Sequence, residues 1–237
     1  MNKYFSTLVI FLFLMLQGSS SLWAQQTYKQ GKLVLKIVEV EMADQNNAKA
    51  AKMMEGKKIK IYFTPDKQRT DISMMGGMAR MSIIADAKDT NSVVLMKMMG
   101  QKMKMTIGEQ MADRMSGGGE GQLPDDLKIV HQRDKTKIIL DFNTHEVDLS
   151  YTGEDGKPVL MKYYVTDEII TPKAIASQLP KGLDLGGVPL EYEIVMPGKG
   201  RMKYKAVEFG KLSDSSVFDI PEDYQEIDPA MLGGMGH

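Results

Sequence analysis

Apolar and polar side chains alternate with a period of two along most of the chain after residue 30, which is the pattern of half-buried strands. In 31–42 (GKLVLKIVEVEM), Leu33, Leu35 and Ile37 share one face, and the apolar row resumes at Val40 and Met42. That slip of phase predicts a β-bulge near Ile37 and Val38. In 57–64 (KKIKIYFT), Ile59, Ile61 and Phe63 point inward, and Pro65-Asp66 turns the chain into 67–74. Strands are likewise predicted over 80–86, 92–99 and 102–107, the last two forming a hairpin through Gly100 and Gln101. The theme repeats over 127–132, 135–141, 146–152, 159–166, 189–196 and 201–209. Helix is predicted over 43–55, rich in Ala and Lys and stopped by Gly56, and over 172–178, where Thr171 caps and Pro172 opens the first turn. One or two helical turns are predicted over 109–115. About eleven strands joined by sequential hairpins, with one or two short helices, predict a mainly β protein: an antiparallel curved sheet or an unclosed half-barrel.

The first 24 residues stand outside this pattern. Lys3 precedes an unbroken apolar run at 8–16 (LVIFLFLML), and Ala24 supplies a small residue before Gln25, as in a secretory signal peptide. The run is shorter than the ~20 residues a membrane-spanning helix needs, and no later segment reaches that length. The sequence therefore predicts a signal at 1–24, a single β-rich domain at 25–227, and a flexible Gly/Met tail at 228–237. It predicts an exported protein, periplasmic or secreted, with no transmembrane segment after cleavage. Lys3 is the one charged residue before the cut, which leaves 29 basic against 31 acidic residues and no basic excess of the kind a nucleic-acid partner requires. The chain has no cysteine, so disulfides, thiolate catalysis and Cys-based zinc sites are excluded.

Methionine is the unusual feature: 21 in the chain, eleven of them between positions 74 and 115. They cluster as Met74, Met75, Met78 and Met81; Met96, Met98 and Met99; Met103 and Met105; Met111 and Met115. Thioethers fill irregular apolar space and make adaptable surfaces. On this reading Met74, Met78, Met81, Met96, Met98, Met103 and Met105 line or flank a concavity that accepts a lipid or other apolar ligand. The alternative is soft-metal binding, copper or silver, by Met96, Met98, Met103 and Met105, whose spacing sets two sulfurs on one face of each strand. Lys97, Lys102 and Lys104 fall on the opposite face of those strands and count against metal. A third reading is an envelope structural or interaction module. No cofactor is implied.

Four segments in order, 135–147 (KTKIILDFNTHEV), 163–169 (YYVTDEI), 187–191 (GVPLE) and 218–224 (FDIPEDY), resemble the domain-of-unknown-function family 4412 of exported bacterial proteins. The resemblance covers roughly residues 31–227. Asp141-Phe142 stands where Gly-Tyr is usual in that family, and Thr144 where Cys is usual. The family looks related to the periplasmic lipoprotein carriers, which implies an unclosed antiparallel barrel able to hold an apolar ligand. It implies no reaction.

The remaining polar residues form no catalytic pattern. His145 alternates away from Glu146 and Asp148, and His131 shares a face with Ile129, the settings of surface or core histidines rather than ligands. Asp125-Asp126 and Glu154-Asp155 sit in turns. No Gly-x-Ser-x-Gly elbow and no phosphate-loop Lys-Ser/Thr is present. The chain is read as non-enzymatic.

Overall fold

The computed structural model describes residues 27–43, 48, 52–74, 77–108, 124–153, 156–171, 183–196 and 200–228. The strands, in chain order, are β1 (Gly31–Met42), β2 (Lys58–Phe63), β3 (Lys67–Met74), β4 (Ala79–Asp86), β5 (Asn91–Met98), β6 (Gln101–Gly108), β7 (Lys128–Ile139), β8 (Phe142–Thr152), β9 (Pro158–Thr166), β10 (Val188–Met196), β11 (Gly200–Gly210) and β12 (Gln225–Glu226). They form one sheet in the order β12-β6-β5-β4-β3-β2-β1-β11-β10-β9-β8-β7. Two antiparallel meanders flank β1, which pairs with β2 on one side and β11 on the other. The fold is mainly β, and its edges β12 and β7 do not meet, so the sheet is unclosed, as the alternation predicts.

One face of this sheet curls inward. Phe142 on β8 and Phe209 on β11 lie three strands apart, roughly 14 Å in a flat sheet. Their rings nevertheless meet edge to face at 4.7 Å, and Tyr28 packs against both at 5.6 and 5.0 Å. Tyr28, just ahead of β1, also donates its N–H to the Glu168 carbonyl beyond β9, and the Ile170 N–H returns to the Tyr28 carbonyl. The main core fills this inner face, from Leu33, Leu35 and Ile37 through Tyr204 and Tyr192 to Val147 and Leu149.

The bulge in β1 lies where the phase slips: the register with β11 shifts between Ile37 and Glu39, and again between Val34 and Leu35. Three details differ from the sequence expectation. The strands expected at 127–132 and 135–141 are one strand, β7, whose register with β8 shifts between Gln132 and Thr136. An irregularity on an edge strand breaks the alternation without ending the pairing. The two-residue strand β12, parallel to β6, is too short to carry a period. The β5–β6 turn sits one residue earlier than Gly100 and Gln101: Met98 pairs with Gln101, and Met99 and Gly100 form the turn with φ of 51° and 89°. A two-residue hairpin of this type needs positive φ at both positions.

Methionine is a poor residue for a left-handed position, so Met99→Asn is expected to raise stability by about 0.5–1 kcal/mol. The check is a higher urea midpoint at unchanged slope. The β7–β8 turn uses the same geometry, with Leu140 at φ 52° and Asp141 at φ 67°. Asp141 thus holds a left-handed position where the resembled family has glycine, and Asp is among the few other residues that tolerate it.

Of the helix expected over 43–55, Ala48 and Lys52 are helical and residues 53–56 turn, ending at Gly56 with φ 80°. The expected signal segment, the turns at 109–115, the helix at 172–178 and the tail after Asp228 lie outside the described residues. Among the described residues no helix is long and apolar enough to cross a membrane.

Candidate functional site

Residues opposite one another in register project from the same face of a sheet. One inner-face row crosses β8, β9, β10, β11 and β1 as Val147, Tyr163, Tyr192, Tyr204 and Ile37. A second crosses β1 to β6 as Leu35, Ile59, Ile72, Met81, Met96 and Met103. Together they make the inner face apolar across nearly the whole width of the sheet.

The two ends of that face differ. Toward β8–β11 it is closed by packing: Tyr163 stacks on Tyr192 at 5.7 Å and Tyr192 on Tyr204 at 4.9 Å, with ring planes within 11°. Among the described residues, the phenols of Tyr163 and Tyr204 donate to thioethers, Met161 Sδ and Met202 Sδ, each at 3.9 Å. Burial pushes the Tyr163 phenol up to about 12, with the neighbouring Tyr151 adding to the effect. Burial raises Tyr192 and Tyr204 as well.

Toward β4–β6 the face is more open. Met81, Met96 and Met103 are in direct register on three adjacent strands and each is half-buried. Of the other methionines singled out in the sequence, Met105 is fully buried with Val94 and Ile107 in a second, small core cluster. Met98 is 47 % exposed, and Met78, in the β3–β4 connection, is 65 % exposed. The backbone of Met74 pairs with Ala79. Met81 and Met96 pack against the small cluster, as does Ile227 just past β12.

At the β7 end of the inner face stands a feature the sequence did not bring together. His131 Nδ1 lies 3.3 Å from His145 Nε2. Burial holds His145 below the usual imidazole range, with the Arg133 charge and His131 adding to it. The β7–β8 hairpin register contains the signal for this contact, but the shift between Gln132 and Thr136 displaces it from a simple count. Among the described residues no group of three or more His, Cys, Asp or Glu comes together.

The outer face is a lattice of charge. On β7–β11 acidic and basic side chains are interleaved. Glu146, 4 % exposed, accepts from Lys135, Lys162 and the Tyr164 hydroxyl at 3.0–3.3 Å. Burial works to raise its pKa, but these donors outweigh it and hold the carboxyl below its ordinary range. Glu191 is held low in the same way against its own burial, by Lys137 at 2.7 Å and by Lys203 and Lys205. Arg201 bridges Glu39, Glu41 and Glu193.

On β2–β6 the outer face is basic, and the C-terminal segment 211–228 crosses it. Arg69 donates to the Val217 carbonyl at 2.6 Å and to Ser82 Oγ at 3.1 Å, and pairs with Asp71. Lys102 pairs with Asp223, and Lys104 with Glu226 at 3.6 Å. Asp214 caps the 3-10 turn Ser215–Phe218, whose Phe218 is buried. A cavity of about 430 Å³ remains between this segment and the strands.

No family model matches the sequence, so none stands behind the resemblance to family 4412, and no curated protein matches it either. Among solved structures, the chain is similar to MucB at 9% identity and a TM-score of 0.32, covering 85% of this chain and 60% of that one. It is similar to the LolA superfamily protein NE2245 from Nitrosomonas europaea at 9% identity and a TM-score of 0.33, covering 82% and 88%. An outer membrane lipoprotein-sorting protein domain from Vibrio parahaemolyticus aligns at 4% identity and a TM-score of 0.24, covering 83% and 92%. All three TM-scores lie below 0.5, and the reading of the site rests on its own geometry.

Proposed function

We propose that this chain is an exported, non-enzymatic binder of an apolar or amphipathic, lipid-like ligand, taken up on the inner face of the open sheet. The observation that supports it most directly is the half-buried in-register row Met81–Met96–Met103, at the open end of a face whose other end is filled by packed tyrosines. Fully burying a methionine side chain contributes roughly 1.5–3 kcal/mol. A half-buried row leaves part of that free energy to be gained when an apolar guest covers it. Unbranched thioethers adjust to guests of different shape. The register also brings three thioethers side by side, which favours soft-metal binding as a second reading.

Two variants separate the readings. The triple change Met81→Leu, Met96→Leu and Met103→Leu preserves apolar surface and removes sulfur. It is expected to bind a fluorescent fatty-acid probe within a few-fold of the parent. Met96→Glu places a charge in the apolar row and is expected to weaken probe binding about tenfold, equivalent to about 1.4 kcal/mol, with the far-ultraviolet dichroism of a β fold retained. Unchanged probe binding by Met96→Glu would overturn the proposal. Tight Cu(I) binding by the parent that vanishes in the triple Leu variant would replace it with the metal reading.

A further inference from the structure

The basic outer face of β2–β6 carries an arrangement that folding alone does not favour. Lys205, Lys36 and Lys58 are direct register partners on β11, β1 and β2. Arg80, Lys97 and Lys102 are direct partners on β4, β5 and β6, and Ser73 of β3 faces Arg80. Like charges placed directly opposite one another across a sheet destabilise it. Elsewhere on the same face this protein avoids the problem by setting Glu146, Glu191 and Glu193 among its cations. Here it does not.

The cavity lies along this basic stretch. Six cations line it: Lys58, Lys60, Arg69, Arg80, Lys97 and Lys102, against the two carboxylates Asp71 and Asp223. Both carboxylates are engaged, Asp71 by Arg69 and Asp223 by Lys102. The lining residues thus carry an excess of four positive charges; Lys58, Lys60, Arg80 and Lys97 make no ion pair among the described residues, and Glu208, outside the cavity lining and bridged to Lys32, acts on Lys58 and Lys60 only from a distance. The wall opposite the strands is Pro221, Asp223 and Tyr224 of the acidic C-terminal segment. The side chain that answers Lys102 is thus itself an anion seated at one end of the array, with Lys102 also lying 5.8 Å from the Tyr224 ring centroid. The volume falls in the lower part of the range of about 300–1,000 Å³ typical of small-molecule pockets.

We propose that this cavity, whose charged lining projects from the outer face, is an anion site for a phosphate-bearing group. A phosphate monoester or pyrophosphate concentrates two or more negative charges on a compact set of oxygens, which matches an excess of several cations better than a single carboxylate does. Arg80 supplies a planar fork for two of those oxygens, and the lysines supply point charges around it. The Ser73 hydroxyl, in the same row, supplies a neutral donor. A soluble phosphate ester and the headgroup of an anionic phospholipid share this chemistry, and the test tells them apart.

The test is calorimetric titration of the chain with sodium pyrophosphate at constant ionic strength, alongside co-sedimentation with vesicles of phosphatidylglycerol or of phosphatidylcholine. Pyrophosphate is expected to bind saturably and to raise Tm. The double variant Arg80→Gln/Lys97→Gln is expected to bind about tenfold more weakly and to lose that rise in Tm. Without anion the same variant is expected to melt no lower than the parent, because it removes an unfavourable charge pair. Lys58→Gln/Lys60→Gln, on a different strand, repeats the measurement. Met96→Glu, on the inner face, is expected to leave pyrophosphate binding unchanged, so failure here and failure of the lipid reading are distinguishable. Pyrophosphate binding without vesicle binding assigns a soluble phosphate ester. Co-sedimentation with phosphatidylglycerol alone, lost in the double variants, assigns a lipid headgroup. Absence of both, or equal binding by the parent and both double variants, overturns the site.

Discussion

Gly187→Ala is expected to be among the most damaging single-methyl changes in this protein, lowering Tm by roughly 6–12 °C, or about 3 kcal/mol. Gly187 sits where β10 begins to pair with β9, beside the Val188–Thr166 register pair. A Cβ there would lie 2.3 Å from the Thr166 carbonyl oxygen, 2.9 Å from the Thr166 carbonyl carbon and 2.9 Å from Val165 Cγ1. Thr166 and Val165 are both fully buried, so neither strand can step aside without disturbing the core. The obstruction is backbone, which a change of rotamer cannot relieve. Gly210→Ala is the control: a Cβ there meets nothing within 4 Å and φ is not positive, so the change is expected to stay within about 0.5 kcal/mol of the parent. Thermal melts of the two variants side by side check the contrast, and equal midpoints would show that the β9–β10 contact tolerates a side chain.

That contact also explains what the recognisable segments of the second half are for. Gly187 opens 187–191 (GVPLE) and lies against Thr166 of 163–169 (YYVTDEI). Glu168 of the latter accepts from the Asn143 backbone N–H at 2.9 Å, joining it to 135–147. The segment 218–224 (FDIPEDY) supplies the buried Phe218 and the Asp223 partner of Lys102. The four segments thus meet one another, or the sheet, in the fold. The strands were legible because a half-buried strand must alternate, and β1 shows its bulge as a slip in that alternation. The opposition of the Met and Lys faces on β5 and β6 followed from parity alone, and the register bears it out, with Met96 opposite Met103 and Lys97 opposite Lys102. What parity cannot supply is which strands are neighbours. Lys36 meets both Lys58 and Lys205 only because β1 sits between β2 and β11, and no local pattern announces that β11 returns to β1. The basic row, its cavity and the His131–His145 contact were therefore hidden, each depending on a pairing or a register shift rather than on the run of residues around it.

The tyrosine stack predicts a second large effect, at alkaline pH. Tyr163, Tyr192 and Tyr204 are all at most 7 % exposed and form one column across β9, β10 and β11. Burial raises all three phenols above their ordinary value of 10, Tyr163 to about 12. Below pH 10 the phenols are neutral in the folded and the unfolded chain, and the stack contributes its full packing energy. Between pH 10 and 12 the unfolded chain releases phenolic protons that the folded chain retains, so rising pH favours unfolding. A difference of two pKa units for Tyr163 alone corresponds to about 2–3 kcal/mol lost over that interval. Tyr192 and Tyr204 add to the loss in the same direction. Tyr163→Phe removes the titrating group and keeps the ring. Because the hydroxyl's described partner is the weak acceptor Met161 Sδ, the change is expected to be nearly neutral at pH 7 and to flatten the fall above pH 10. Tyr163→Ala removes the ring and is expected to destabilise by about 3–5 kcal/mol at any pH. Urea midpoints for the parent and the two variants at pH 7, 10 and 11.5 distinguish the cases. A parent whose midpoint does not fall above pH 10, or a Phe variant that falls as steeply as the parent, would mean that the stack is hydrated rather than sealed, and that the packed end of the inner face is open to solvent like the methionine end.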